Sequence, residues 1–296
     1  MVLVSDSGTI NLDAHNAVVS CVWLQKNLHH PNLLILDATF FLPRQQRFAK
    51  HEFQSQHLPG AQFFDIDDIA DQNSPLPHTL PIAEQFAQQV GKLGIDNATW
   101  VVVYDNNHFF AAARVWWMFR VFGHEKIKVL DGGLSRWKQL GFPLTSNSAK
   151  PASKVFTATF HAELFVDLQQ MREIQQQGSR IILDARSADS FNGQRVLTDA
   201  GLQTGHMPGS VNIPYQHLYS QDQHTLYSIA QLQQLFVTAG VDVSKSMVTT
   251  CGSGVSAALL LLVLYQLGCH QVPMFDGSWA EWGRQQDLPK QNKPTS

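Results

Sequence analysis

The sequence predicts an α/β protein of two similar domains, each a mostly parallel sheet flanked by helices. Three observations predict it: a length of 296 residues, a set of landmarks that recurs once, and short β-branched runs alternating with helical stretches. The length exceeds one ordinary domain and suits two. Leu33 to Ala38 returns as Ile181 to Ala185, and His57-Leu58-Pro59-Gly60-Ala61 returns as His206-Met207-Pro208-Gly209-Ser210. Val101 to Asp105 returns as Met247 to Cys251, and Asp131-Gly132 with Trp137 returns as Asp276-Gly277 with Trp282. Four landmarks kept in one order indicate a duplicated unit.

Continuous apolar runs such as Val101-Val102-Val103 read as strands buried on both faces, which is how parallel sheets look. Between them, helices are expected over residues 83–93, 111–122, 169–177 and 229–239. The stretch Ser146 to Lys154 is poor in apolar residues and marks the join. Domains are therefore expected at residues 1–145 and 161–296, with an exposed linker over 146–160.

The segment with most chemistry is Met247 to Gly268. A β-branched run ends in Cys251, a Gly252-Ser253-Gly254 turn follows, and an apolar stretch then runs for about three helical turns. In a parallel sheet this places Cys251 at the carboxyl end of a strand, where ligands bind. Amides of the turn and the first helical turn would converge on its sulfur and favour the thiolate, as a nucleophile requires. The plainer alternative is a small buried hydrophobe. The duplication supplies a control: Asp105 stands at the matching position, so only the second domain can use a sulfur nucleophile.

Composition removes several classes. Lys and Arg number 21 against 24 Asp and Glu, a net charge of −3, so no basic surface points to nucleic acid or an anionic membrane. Three cysteines without a C-x-x-C pair make no disulfide framework, and no His/Cys spacing suggests a metal; no cofactor is expected. The longest uncharged apolar run, Ala257 to Leu264, is far shorter than the roughly 20 residues that span a bilayer. The acidic N-terminal segment lacks a secretory pattern. A cytoplasmic protein is expected.

These landmarks resemble the rhodanese superfamily, and the tandem arrangement is similar to that of the thiosulfate and 3-mercaptopyruvate sulfurtransferases. The loop Cys251 to Ala257 is similar to the mercaptopyruvate branch; the thiosulfate branch carries basic residues where Gly252 and Ser253 stand. Arg114 to His124, Leu130 to Trp137, Phe63 to Asp67 and Asp276 to Gly283 also carry the resemblance. It implies two rhodanese-like domains and a ping-pong transfer of sulfane sulfur through a Cys251 persulfide. The donor would be 3-mercaptopyruvate or a related small molecule, and the acceptor a thiol, cyanide or a thiol protein. Amides of Gly252, Gly254, Val255 and Ser256 would hold the anionic sulfur. Ser253, with His78 and Asp67 of the first domain, matches the branch's proton-handling group. Alone, His78 could equally be a loop histidine, and Asp67 a helix N-cap.

The chain departs from the branch at one place. Laid without gaps between Asp184 and His206, it puts Ser190 and Asp199 where two carboxylate-binding arginines are expected. Arg195 is the candidate substitute, and Arg186, just after a strand, is expected to form a structural ion pair. The loop after Asp105 is about two residues shorter than the family pattern, and Phe109 and Phe110 make it more apolar. Alternatives are therefore a thiosulfate-using enzyme, a persulfide carrier, or a catalytically weak binding module. A cysteine phosphatase is excluded, since no arginine closes the loop. The tryptophans Trp116, Trp117, Trp279 and Trp282 are expected in the core, His29-His30 at a solvated helix end, and Cys21 and Cys269 as inert thiols.

Overall fold

The computed structural model describes residues 16–148, 151–195 and 201–292. In the first domain β1 (Val18–Ser20), β2 (Leu33–Asp37), β3 (Ala61–Phe63), β4 (Trp100–Tyr104) and β5 (Ile127–Asp131) form one sheet in the order β1-β5-β4-β2-β3. In the second, β6 (Phe165–Val166), β7 (Ile181–Asp184), β8 (Val211–Asn212), β9 (Met247–Thr250) and β10 (Met274–Phe275) take the order β6-β10-β9-β7-β8. Every neighbouring pair is parallel. The two orders are the same walk taken twice, as the repeated landmarks require.

The expected helices form at Ala83–Lys92, Ala112–Val121, Leu168–Gln177 and Ile229–Thr238, within a residue of their predicted ends. Two helices are apolar nearly all round and therefore buried. Every residue of Ala112–Val121 is buried, as are Ala257 to Leu264 in the helix Ala257–Gln266. They pack on one another between the sheets, with Trp116 edge-on to Tyr265 at 5.4 Å. One continuous apolar core therefore crosses the domain boundary.

The repeated His-x-Pro-Gly motifs are structural in both domains. His57 Nδ1 lies 2.6 Å from the Phe53 carbonyl and His206 Nδ1 2.8 Å from that of Phe191, each ring stacking on the same phenylalanine. The join between the domains has no helix or strand among residues 151–160 and is mostly exposed. Phe156 pins it to the first domain: it is buried against Phe86 and Phe119, and the neighbouring Lys154 amide donates to Gly91 O.

Candidate active site

Strand β9 carries Cys251 to the carboxyl edge of the second sheet, at the floor of a cavity of about 800 Å³ between the domains. The second domain lines it with Cys251, Gly252, Ser253, Val255, Ser256 and Arg195, the first with Leu42, Arg44 and Phe110. Most of the predicted site thus comes together. Gly254 does not face the cavity. Its φ is +74° and its α-carbon lies so close to the next strand's end that an added Cβ would meet Asp276 O at 2.6 Å.

The two domains use the same loop differently. In the first, the Asp105 carboxylate accepts the amides of Asn107, Phe109, Ala111 and Ala112 at 2.9–3.1 Å. Burial pushes the Asp105 carboxyl up, and those four amides oppose the shift. That loop is an anion cradle filled by its own side chain. In the second domain the amides of Gly252, Ser253, Gly254, Val255 and Ser256 have no acceptor among the described residues. These unpaired donors follow directly on a buried thiol, an arrangement that favours an incoming or developing anion.

Cys251 is fixed from behind. Its amide donates to Ser278 Oγ at 3.1 Å, and that hydroxyl donates to Phe275 O at 2.9 Å. The Cys251 and Gly252 carbonyls accept the amides of Trp279 and Ala280. Ser278 is buried with a φ of +50°, a backbone that a serine rarely adopts.

His78 and Asp67 pair with each other, Nδ1 lying 2.6 Å from Oδ1 but off the line of a hydrogen bond. Neither lines the cavity. Asp67 is not a helix cap: the cap of Ile66–Ile69 is Asp65, whose carboxylate accepts the Asp67 amide. The short side chain two residues earlier reaches the free amide, so the capping alternative falls to its neighbour. The link from His78 to the cysteine loop runs through Arg114. This fully buried arginine donates to His78 O at 2.5 Å, Gly254 O at 3.2 Å and Asp276 Oδ1 at 2.6 Å, with its guanidinium 4.5 Å above the Trp117 ring. Phe40 lies edge-on to His78 and stacks on Phe110, which reaches the cavity.

Arg114, Asp276 and Ser278 were not singled out from sequence, although a signal existed. His78-Thr79-Leu80 recurs as His224-Thr225-Leu226, and both histidines have φ of +61°. The Leu80 amide donates to Asp276 across the interface, and the Leu226 amide donates to Asp131 in the mirror position. His224 lies over the Asp105 loop, stacked on His108, as His78 lies behind the Cys251 loop.

Arg186 forms the expected ion pair, 2.6 Å from Asp184, and stacks over Trp279. Trp279 is buried, as expected, yet also reaches the cavity wall. Ser190 lines the cavity and accepts the Ser187 hydroxyl at 3.0 Å; Asp199 lies outside the described residues. Trp116, Trp117 and Trp282 are buried as expected, and burial pushes the Cys21 thiol up to about 12.

A reactive-position cysteine on a strand–loop–helix, in the second of two duplicated parallel-sheet domains, defines a tandem rhodanese. Residues 20–140 and 167–285 each match the rhodanese-like domain, and the chain belongs to that family. It is 40% identical to the human 3-mercaptopyruvate sulfurtransferase over 90% of this chain and 91% of that protein. It is 39% identical to the chicken thiosulfate sulfurtransferase over 90% and 93%. The crystal structure of SseA from Escherichia coli, described as a 3-mercaptopyruvate sulfotransferase, superimposes with a TM-score of 0.82 at 36% identity, covering 90% of this chain and all of that one. Among the described residues no helix is long and apolar enough to cross a membrane.

Proposed function

We propose that this chain is a sulfurtransferase that moves sulfane sulfur from 3-mercaptopyruvate, or a closely related donor, to a thiol or cyanide through a Cys251 persulfide. The observation that carries the reading is the row of amides from Gly252 to Ser256, next to Cys251 and without acceptors among the described residues, set against the same loop filled by Asp105 in the first domain. A scaffold or vestigial module has no need of an open anion cradle.

In the first half-reaction the Cys251 thiolate attacks the thiol sulfur of the donor. An S–S bond forms and the donor's C–S bond breaks, its electron pair remaining on carbon as the enolate of pyruvate. That enolate takes up one proton and leaves as pyruvate. We assign Ser253 to that proton, with His78 and Asp67, which pair with each other off the cavity, as the partners the family resemblance implies, and the loop amides to the sulfur anion. In the second half-reaction an acceptor thiolate or cyanide attacks the outer sulfur and Cys251 leaves as thiolate, giving a persulfide or thiocyanate. Residues 1–145 then serve as the non-catalytic half, 161–296 as the catalytic half, and a reducing compartment such as cytoplasm suits the thiols. Thiosulfate is the second reading, supported by the 39% identity to a thiosulfate sulfurtransferase.

Steady-state assays with 3-mercaptopyruvate and with thiosulfate, cyanide as acceptor, test the reading on wild type, Cys251→Ser and His78→Ala. Turnover of 3-mercaptopyruvate lost in Cys251→Ser supports it; residual turnover above background in that variant sinks it. An unchanged His78→Ala rate removes His78 from proton handling. Turnover of thiosulfate alone favours the second reading.

A further inference from the structure

The donor proposed above carries a carboxylate, and the positions expected to bind it hold Ser190 and Asp199. We infer that Arg44 of the first domain and Arg195 of the second hold that carboxylate together, one from each wall of the cavity. The inference rests on the sulfurtransferase reading and names where its donor specificity lies.

The charges lining the cavity support it. Three arginines reach it, Arg44, Arg186 and Arg195, against one carboxylate among the described residues, Asp189. Arg186 is engaged: its guanidinium is held by both oxygens of Asp184 and by Gly205 O, and it lies over Trp279. Arg44 and Arg195 have no carboxylate partner among the described residues. Ser190 accepts the Ser187 hydroxyl and has only its own neutral O–H to offer, with no charge. Two unengaged guanidiniums are what a carboxylate beside a thiolate requires, since the thiolate itself repels a second anion.

Arg44 is presented deliberately by its turn. It sits in the middle of the 3-10 turn Pro43–Gln45, which the Gln45 side chain closes by accepting the Leu42 amide at 2.8 Å. The next arginine, Arg47, is turned the other way, paired with Glu52 at 2.5 Å and lying over Phe41. Arg44 is instead near enough to Tyr215, across the domain boundary, for its charge to oppose the upward push that burial gives the Tyr215 phenol. Tyr215 lines the same cavity, so the guanidinium and the hydroxyl share one wall. Arg195 follows a tight turn in which its amide donates to Asp189 O. The pocket for the acid group is thus built across the interface, not within the second domain alone.

The test uses the full chain with cyanide as acceptor, 3-mercaptopyruvate as the charged donor and its neutral carboxamide as the control. Arg44→Gln and Arg195→Gln should each raise KM for 3-mercaptopyruvate about tenfold, with kcat within about twofold, because each removes a charge-assisted hydrogen bond made to bound donor throughout. KM for the carboxamide should not move, and Arg44→Lys should retain most of the affinity. An unchanged KM for 3-mercaptopyruvate in Arg44→Gln overturns the inference, as does an equal rise for both donors. In either case the wild type still turns over, and the sulfurtransferase reading stands. A wild type without Cys251-dependent turnover removes both.

Discussion

Replacing Arg114 with methionine should cost far more stability than its position within an apolar helix suggests. The guanidinium is the only described partner of Asp276 Oδ1, and it also satisfies the Gly254 and His78 carbonyls. Methionine fills most of the space over Trp117 but leaves Asp276, 5% exposed, with the Leu80 amide alone. Breaking one side of a buried pair in this way costs about 3–5 kcal/mol. Removing both charges costs less than removing one, because Asp276→Asn leaves no stranded anion and keeps an acceptor for Leu80. The double variant Arg114→Met/Asp276→Asn should therefore recover at least about 2 kcal/mol of the single-variant loss. Urea unfolding of wild type, both single variants and the double, followed by tryptophan fluorescence and far-ultraviolet circular dichroism, measures each value. Since one core spans both domains, a single transition is expected. A loss under about 1 kcal/mol in Arg114→Met, or losses that simply add in the double, would refute the reasoning.

Gly254→Ala should destabilise by about 3 kcal/mol and lower turnover, since it forces an alanine to positive φ against Asp276 O. Gly252→Ala, whose Cβ meets nothing within 4 Å, should stay within about 0.5 kcal/mol by the same urea titration. Ser278→Ala strands the Cys251 amide, and it should cost about 1–3 kcal/mol while reducing the rate of persulfide formation in rapid mixing. Burial raises the Asp131 carboxyl from 3.8 to about 6. Its folded form therefore holds a proton that the unfolded chain has released, and its contribution to stability is fullest below pH 4 and lost as pH rises through 6. In Asp131→Asn, which keeps an acceptor for Leu226, the decline in unfolding free energy between pH 4 and 7, from urea titrations, should shrink by on the order of 2 kcal/mol. Asp37, also raised to about 6 by burial, preserves part of the wild-type slope.

Local chemistry was legible in the sequence and long-range partnership was not. Cys251 followed by Gly252-Ser253-Gly254 announces a strand, a turn and a helix from a dozen adjacent residues, and the structure has all three. Arg186 was readable as an ion-pair former because its partner, Asp184, lies two residues away. Arg114 looked like a lone basic residue in an apolar helix because its partners, Gly254 and Asp276, lie 140 and 162 positions away. Strands β6, β8 and β10 are two residues long, too short for any alternation to show. Arg44 lies in a polar stretch with Arg47 nearby, and only the fold separates the arginine facing the cavity from the one paired with Glu52.

The central claim is that Cys251 carries the sulfur in a covalent intermediate. Incubating the wild type with 3-mercaptopyruvate and no acceptor, then measuring the intact mass and the pyruvate released, tests it directly. The account predicts a gain of one sulfur atom, mapped by peptide mass to Cys251, with one pyruvate per chain and reversal on adding cyanide. Release of pyruvate without added mass, or added sulfur on Cys21 or Cys269 instead, would contradict it.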